Sequence, residues 1–160
     1  MYQFGFSKFK SKYWGELPDL VSKEGKRSNW LHLYVENHFS SAKAAAKVLN
    51  KLNQNTDGQA HVTLDSFINL NVLVRVIIDW LQLRRRYKKT RDALSEVVSS
   101  NFNYWSYFDF DLAQSLLGHT AVSNLLHLAL FEEACKSLSE QSIGVFLQEN
   151  LPWEFAAIDS

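Results

Sequence analysis

The sequence predicts an α/β domain: a short parallel, Rossmann-like sheet with helices on both faces and a helical excursion between the second and third strands. Three observations carry that expectation. Two apolar segments bounded by turn signals, 29–35 and 60–65, flank a helix-patterned stretch, the spacing of a parallel crossover. A long helix-patterned region follows without repeats, low-complexity segments or an obvious linker. A third apolar segment, Ile143–Gln148, then precedes Pro152, which suits the first turn of a helix.

The first strand is Asn29–Val35 (NWLHLYV), which alternates, closes on apolar residues and follows the turn-forming KEGKRSN. In ENHFSSAKAAAKVLNKLNQ, Ser40 or Ser41 is the expected N-cap, and Ala42, Ala45, Ala46, Leu49 and Leu52 share one helical face. NQNTDGQ breaks that helix at Asp57-Gly58. AHVTLDSF, from Ala60, is the second strand, centred on Val62–Asp65. Between Ile68 and Arg86 the polar residues Asn71, Arg75, Asp79, Gln82 and Arg86 recur every three or four positions. They predict a helix with a narrow polar stripe, buried on its other faces. It runs into RRRYKKTR and a shorter helix to about residue 98, and SSNFN ends that region. The next helix starts at Asn103 or Ser106 and stops at Gly118, in a C′ role. A long helix then runs from His119 or Thr120 to about Leu138, with Val122, Leu125, Leu126 and Ala129 inward.

A chain of 160 residues, 46% hydrophobic, reads as one domain with a sizeable core. Aromatics reach 14%, more than a lone domain needs, so some are expected to meet a partner surface. Lys+Arg and Asp+Glu are both 17, which argues against nucleic acid as a partner. The lone Cys135 allows no internal disulfide or thiolate cluster and points to a reducing, cytoplasmic compartment. Peripheral contact at the inner face of the membrane is compatible with that. MYQFGFSKFKSKYW lacks the apolar core of a secretory signal, and no run approaches the roughly 18 apolar residues of a spanning helix.

Ligands of open parallel sheets bind beyond the carboxyl ends of the strands. All three expected ends carry polar residues: Glu36-Asn37-His38, Asp65-Ser66 and Gln148-Glu149-Asn150. They form a candidate rim. The competing account is that strand ends simply meet solvent, and that Glu149 caps the helix opened by Pro152. No GxGxxG or GxxxxGK[ST] follows a strand, so no nucleotide cradle is expected. The basic run Arg84, Arg85, Arg86, Lys88, Lys89 and Arg91 is either a solvated helix end or an anion-binding surface. In the second case Arg84, Arg85 and Lys88 would meet phospholipid head groups or a phosphorylated glycolipid. Of the five histidines, none has the helical spacing of a metal pair and there is no HExxH, so no metal site is expected. His32 and His61 lie inside strands as core or edge residues; His38 and His119 fall in loops and could serve as acid or base. G-x-S-x-G is missing, which disfavours a serine hydrolase. Cys135 reads as a packed helical thiol.

Three pieces carry a resemblance: YWGELPDLVSKEGKRSNWLHLYV, LLGHTAVSNLLHLALFEEA and QENLPWEFA. Together they are similar to a bacterial surface-carbohydrate (lipopolysaccharide or capsule) biosynthesis family, glycosyltransferase-like and built from two Rossmann-type halves. Only Glu149 to Glu154 is motif-like, and members should be far longer than this chain. The resemblance implies the acceptor-side N-terminal portion of such a protein, inactive alone. A glycan or glycolipid acceptor would meet Glu36, Asn37, Asp65, Asn150, Trp153 and Glu154, with Trp153 stacked on a sugar ring. Glu149 would hydrogen-bond hydroxyls or act as base, with His38 the other catalytic candidate. No cofactor is expected in this chain; a nucleotide-sugar donor would need the second half. The rival reading from the residues is a non-catalytic module that binds a protein or a membrane surface.

Overall fold

Gly25 and Gly58 are the positions around which the first part of the chain is built. Both sit at positive φ, 69° and 77°, where glycine pays no steric cost. Gly25 turns the chain from helix α1 (Leu17–Lys23) towards strand β3 (Ser28–His32), and Gly58 turns it from α2 (Ala42–Asn55) into β4 (Gln59–Thr63). The Ser28 N–H donates to the Gly58 carbonyl at 3.0 Å, which aligns the two strand starts. A short antiparallel hairpin, β1 (Gln3–Gly5) and β2 (Lys8–Lys10), precedes α1. The structure, a computed structural model, describes residues 3–5, 8–11, 13–34, 41–55, 58–99, 105–146 and 151–159. By contact it falls into two units, Met1–Phe67 and Ile68–Ser160.

In the first unit β3 and β4 pair in parallel, with Trp30 opposite His61 and His32 opposite Thr63, as the crossover spacing predicts. Ser41 is the N-cap of α2: its Oγ accepts from the Ala44 N–H at 3.2 Å. Ala45, Leu49 and Leu52 on the inner face of α2 are buried. Leu49 and Leu52 form the core with Phe9 of β2, and Trp30 and Val48 pack against it. Ala42 and Ala46, expected on the same face, are exposed. A 3-10 turn, Leu64–Phe67, ends the unit where the sequence pattern extends the strand to Asp65.

The second unit is helical: α3 (Leu70–Ser99), α4 (Trp105–Leu116), α5 (His119–Ser137) and α6 (Pro152–Asp159). α5 is its centre and packs against the other three. That explains its burial pattern. Ala129, Leu130 and Phe131 point about 100° apart and all are buried, with Ala121 and Ala134 besides. Of the residues expected inward on α5, Ala129 is buried, Leu125 and Leu126 are half-buried and Val122 is exposed.

Four expectations are corrected here. The two helices expected between Ile68 and residue 98 are one helix of 30 residues, because nothing between Leu70 and Ser99 is glycine or proline and Lys and Arg are good helix formers. That helix buries one apolar face, around Val72 and Val76, and leaves a second exposed. Gly118 does stand at the C′ position of α4, its N–H donating to the Gln114 carbonyl at 3.2 Å, but with φ −83° it is not left-handed and serves at once as the N-cap of α5. The third strand is not formed at 143–146, whose residues are exposed and unpaired with any strand; the remainder of Ile143–Gln148 lies outside the described residues. Among the described residues the sheets are therefore two-stranded, and the architecture is mixed α/β but mostly helical. One reason for the narrow parallel sheet is local. The outer edge of β4 is taken at His61, whose N–H donates to Asn53 Oδ1 (2.7 Å) and whose carbonyl accepts from Asn53 Nδ2 (2.8 Å).

Candidate functional site

The candidate rim is only partly open to description. Glu36, Asn37, His38, Glu149 and Asn150 lie outside the described residues. Asp65 does lie just beyond the carboxyl end of β4, exposed in the 3-10 turn. Ser66 beside it folds back, its hydroxyl donating to the Thr63 carbonyl. The remaining two candidates belong to α6, in the other unit. Glu154 is 2% exposed, and Trp153 is half-buried with its ring stacked on Phe131 of α5 (centroids 6.1 Å, planes 22° apart). His119 is exposed and is the first residue of α5 rather than a loop residue. His127 Nδ1 lies 2.8 Å from the Ser123 carbonyl, to which it donates. Cys135 is exposed, not packed.

α3 carries a different and larger feature. Val72 and Val76 are buried, and Trp80, Leu83 and Tyr87, at helical spacing from them, are half-buried. These residues make the packed side. On the opposite side Leu70, Leu73, Val74, Ile77, Ile78 and Leu81 follow an i, i+3, i+4, i+7, i+8, i+11 pattern, one continuous stripe. All six are exposed, from 40% at Leu81 to 75% at Leu70. The next positions of the same stripe, i+14, i+15 and i+18, are Arg84, Arg85 and Lys88, also exposed. The outer side of the helix is thus apolar for three turns and cationic for the next two.

Polar ties set the rotation of α3 that turns this stripe outward. Asn69 caps the helix, its Oδ1 accepting from the Val72 N–H at 2.9 Å, while its Nδ2 donates to Glu133 of α5 at 2.9 Å. Arg75 grips Glu132 of α5 with both terminal nitrogens, Nη2 donating at 2.7 Å, and is 3.5 Å from Asp79 on its own helix. Trp80 Nε1 donates to the Leu117 carbonyl at 3.0 Å, and Arg91 meets Asp109 of α4 through two nitrogens (2.6 and 2.9 Å). The hydrogen bonds from Arg75 hold the Glu132 carboxyl below its ordinary range, and those from Arg91 do the same for Asp109. So Arg75 and Asp79, expected on a solvent stripe, instead border the packed side.

The cations differ in engagement. Arg75 and Arg91 are paired, and Arg84 lies over the Trp80 ring at 5.5 Å. Arg84, Arg85, Arg86, Lys88 and Lys89 form no ion pair with another described residue. From Leu70 to Arg91 the only carboxylate is Asp79, on the other side of the helix.

In the first unit, His32 and His61 meet across the strand pair, Nε2 to Nδ1 at 3.0 Å, rings stacked at 5.3 Å. Phe9 packs edge-on against both, and Trp30 stacks on His61 at 6.2 Å. Burial pushes both imidazoles down to about 4, with neighbouring His61 a second cause for His32.

Among the described residues no group of three or more His, Cys, Asp or Glu is placed to hold a metal ion, and no helix is long and apolar enough to cross a membrane. No protein-family model, curated protein or solved structure matches the chain. Reasoning from the sequence isolated the basic run but missed the aliphatic half of the same stripe. The signal was present: Leu70, Val74, Ile77 and Leu81 repeat with the four-three spacing of a contact seam.

Proposed function

We propose that the chain is a non-catalytic interaction module that docks peripherally on an anionic lipid surface through the outer side of α3. The observation that carries this reading is the single stripe in which six exposed aliphatic residues run directly into Arg84, Arg85 and Lys88. Chemistry selects the occupant. A lipid surface offers apolar depth to the aliphatic turns and phosphate to the cations. A second copy of the chain does not: parallel pairing sets Arg84 and Lys88 against themselves, and an antiparallel pairing that overlaps the two aliphatic stripes brings them no carboxylate from α3, whose Asp92 and Glu96 lie beyond the cations. The exposed aromatics Tyr107, Phe108 and Phe110 of α4 fit a protein whose partner surface is not another part of its own core.

The two halves of the stripe contribute separately. Each basic residue near an anionic surface is worth about 1 kcal/mol. Changing Arg84, Arg85 and Lys88 together to Gln therefore lowers partitioning by on the order of 100-fold. Replacing Ile77 and Ile78 with Ser lowers it independently of salt, because apolar contact is not screened. Sedimentation with vesicles of phosphatidylglycerol and phosphatidylcholine reads both effects. Equal binding to neutral and anionic vesicles, or none to either, contradicts the proposal; a concentration-dependent dimer without vesicle binding assigns the stripe to a second copy.

A second reading has one observation in its favour. The parallel β3–α2–β4 crossover with Asp65 exposed at its carboxyl end is compatible with the start of a Rossmann-like, acceptor-side domain of a glycosyltransferase-like protein. That reading rests on the resemblance of the sequence. It expects saturation-transfer NMR signals from a lipopolysaccharide core glycan that weaken in Asp65→Ala, with a nucleotide sugar bound only by a longer chain. No saturation transfer from the protein to the glycan counts against it.

A further inference from the structure

The His32–His61 pair occupies the centre of the first unit. One ring nitrogen donates and the other accepts across 3.0 Å, and the pair joins β3 to β4 while Phe9 of β2 covers both rings. His61 is 3% exposed, and its other nitrogen, Nε2, is buried without a hydrogen-bond partner among the described residues. Its backbone is held from the far side by Asn53 of α2. Every element of the unit's core therefore touches this pair or the residue beside it.

Proton arithmetic gives the arrangement a consequence. A neutral imidazole has one N–H and one lone pair, so a neutral pair forms one N–H···N bond when one of the two facing nitrogens carries hydrogen and the other does not. One added proton can sit on the outer nitrogen of one ring and leave that bond intact. With a proton on both rings, all four nitrogens carry hydrogen, and two N–H groups face each other across the contact. That state has no hydrogen bond at the centre and two like charges in an apolar site.

We propose that His32 and His61 form an acid-operated latch of the first unit, closed with at most one extra proton on the pair and opened when both rings are protonated. The charged groups on the surrounding elements are Asp19 and Lys23 on α1, Lys8 and Lys10 on β2, Lys43, Lys47 and Lys51 on α2 and Asp65 after β4. Burial is the leading cause that disfavours the charged form of each ring, and the second ring acts next on His32. The sign follows from linkage. Histidines held from 6.5 to about 4 add stability that is complete above pH 6.5. It is lost as pH falls from there towards 4, because the unfolded chain takes protons first. The limit is about 300-fold in the opening equilibrium for each such histidine.

Hydrogen exchange of the whole chain, corrected for intrinsic rate, tests this on peptides covering β3 and β4 between pH 7 and pH 4. The expected result is a steep loss of protection in these peptides, with α5 peptides unchanged above pH 5. His32→Gln, which cannot be protonated, should flatten the profile. Flat protection in the parent chain, the same slope in His32→Gln, or parallel loss in α5 overturns the latch. Should His32→Gln fail to fold, imidazole nitrogen NMR of the parent decides: the pair stays neutral to below pH 5. Titration of both rings near 6.5 in the folded unit overturns the proposal.

Discussion

Removal of the Asn53 side chain probes the edge of the parallel sheet most directly. Its amide donates to the His61 carbonyl at 2.8 Å and accepts from the His61 N–H at 2.7 Å, as a neighbouring strand would. Two such bonds contribute about 0.5–1.5 kcal/mol each. Asn53 is exposed overall, so water can reach part of the vacated edge, and the lower part of that range applies. Asn53→Ala should then cost about 1–2 kcal/mol, a 5- to 30-fold loss of protection in β4. Asn53→Asp keeps the acceptor for the N–H but turns an oxygen towards the carbonyl, so it should not restore the parent value. Hydrogen exchange of peptides spanning β4, with α5 as the internal reference, reads the effect. Unchanged β4 protection in Asn53→Ala, or equal loss in α5, would refute the view that α2 closes this edge.

Other perturbations separate single contacts. Ser41→Ala should weaken the first turn of α2 by about 1 kcal/mol, visible as faster exchange at its N-terminus. Gly118→Ala should destabilise the α4–α5 corner by about 1 kcal/mol in urea denaturation, since an added Cβ would lie 3.0 Å from the Gln114 carbonyl oxygen at an N-cap where alanine is poor. Glu132→Gln should reduce the acid sensitivity of the second unit, leaving the share that Asp109 contributes through Arg91. The Glu132 carboxyl is held low by Arg75, so its stabilisation is present above its ordinary value of 4.5 and is lost as pH falls below it. Helicity followed by circular dichroism from pH 6 to pH 3 checks that.

Local chemistry made part of the fold legible. Ser41 before an alanine-rich face, the β3 and β4 segments and the extent of α5 all follow from capping and periodicity. The hairpin Gln3–Lys10 and α1 did not, although Pro18 suits a first helical turn. The misreadings have physical causes. Periodicity gives the angle between the faces of a helix, not which face finds a neighbour. The polar stripe of α3 reads as its solvent side, yet Glu132 and Glu133 on α5 offer Asn69 and Arg75 better partners than water, and the aliphatic stripe is left outside. Ile143–Phe146 is a short apolar run, which periodicity alone does not assign to a strand. The charge-rich RRRYKKTR contains no helix breaker, so it continues α3. For the candidate site, the cations were readable from the sequence. Their union with Leu70–Leu81 required the rotation of the helix, and Glu154, which the resemblance sets against an acceptor glycan, is buried.

The lipid-docking claim is tested most directly by the environment of Ile77 itself, 57% exposed at the middle of the stripe. An environment-sensitive nitrobenzoxadiazole label is attached at Ile77→Cys, with Cys135→Ser removing the exposed native thiol. On addition of phosphatidylglycerol vesicles, emission should rise and shift to the blue, brominated acyl chains should quench it, and added salt should reverse both changes. A label that stays in water while the protein sediments with the vesicles would contradict the account.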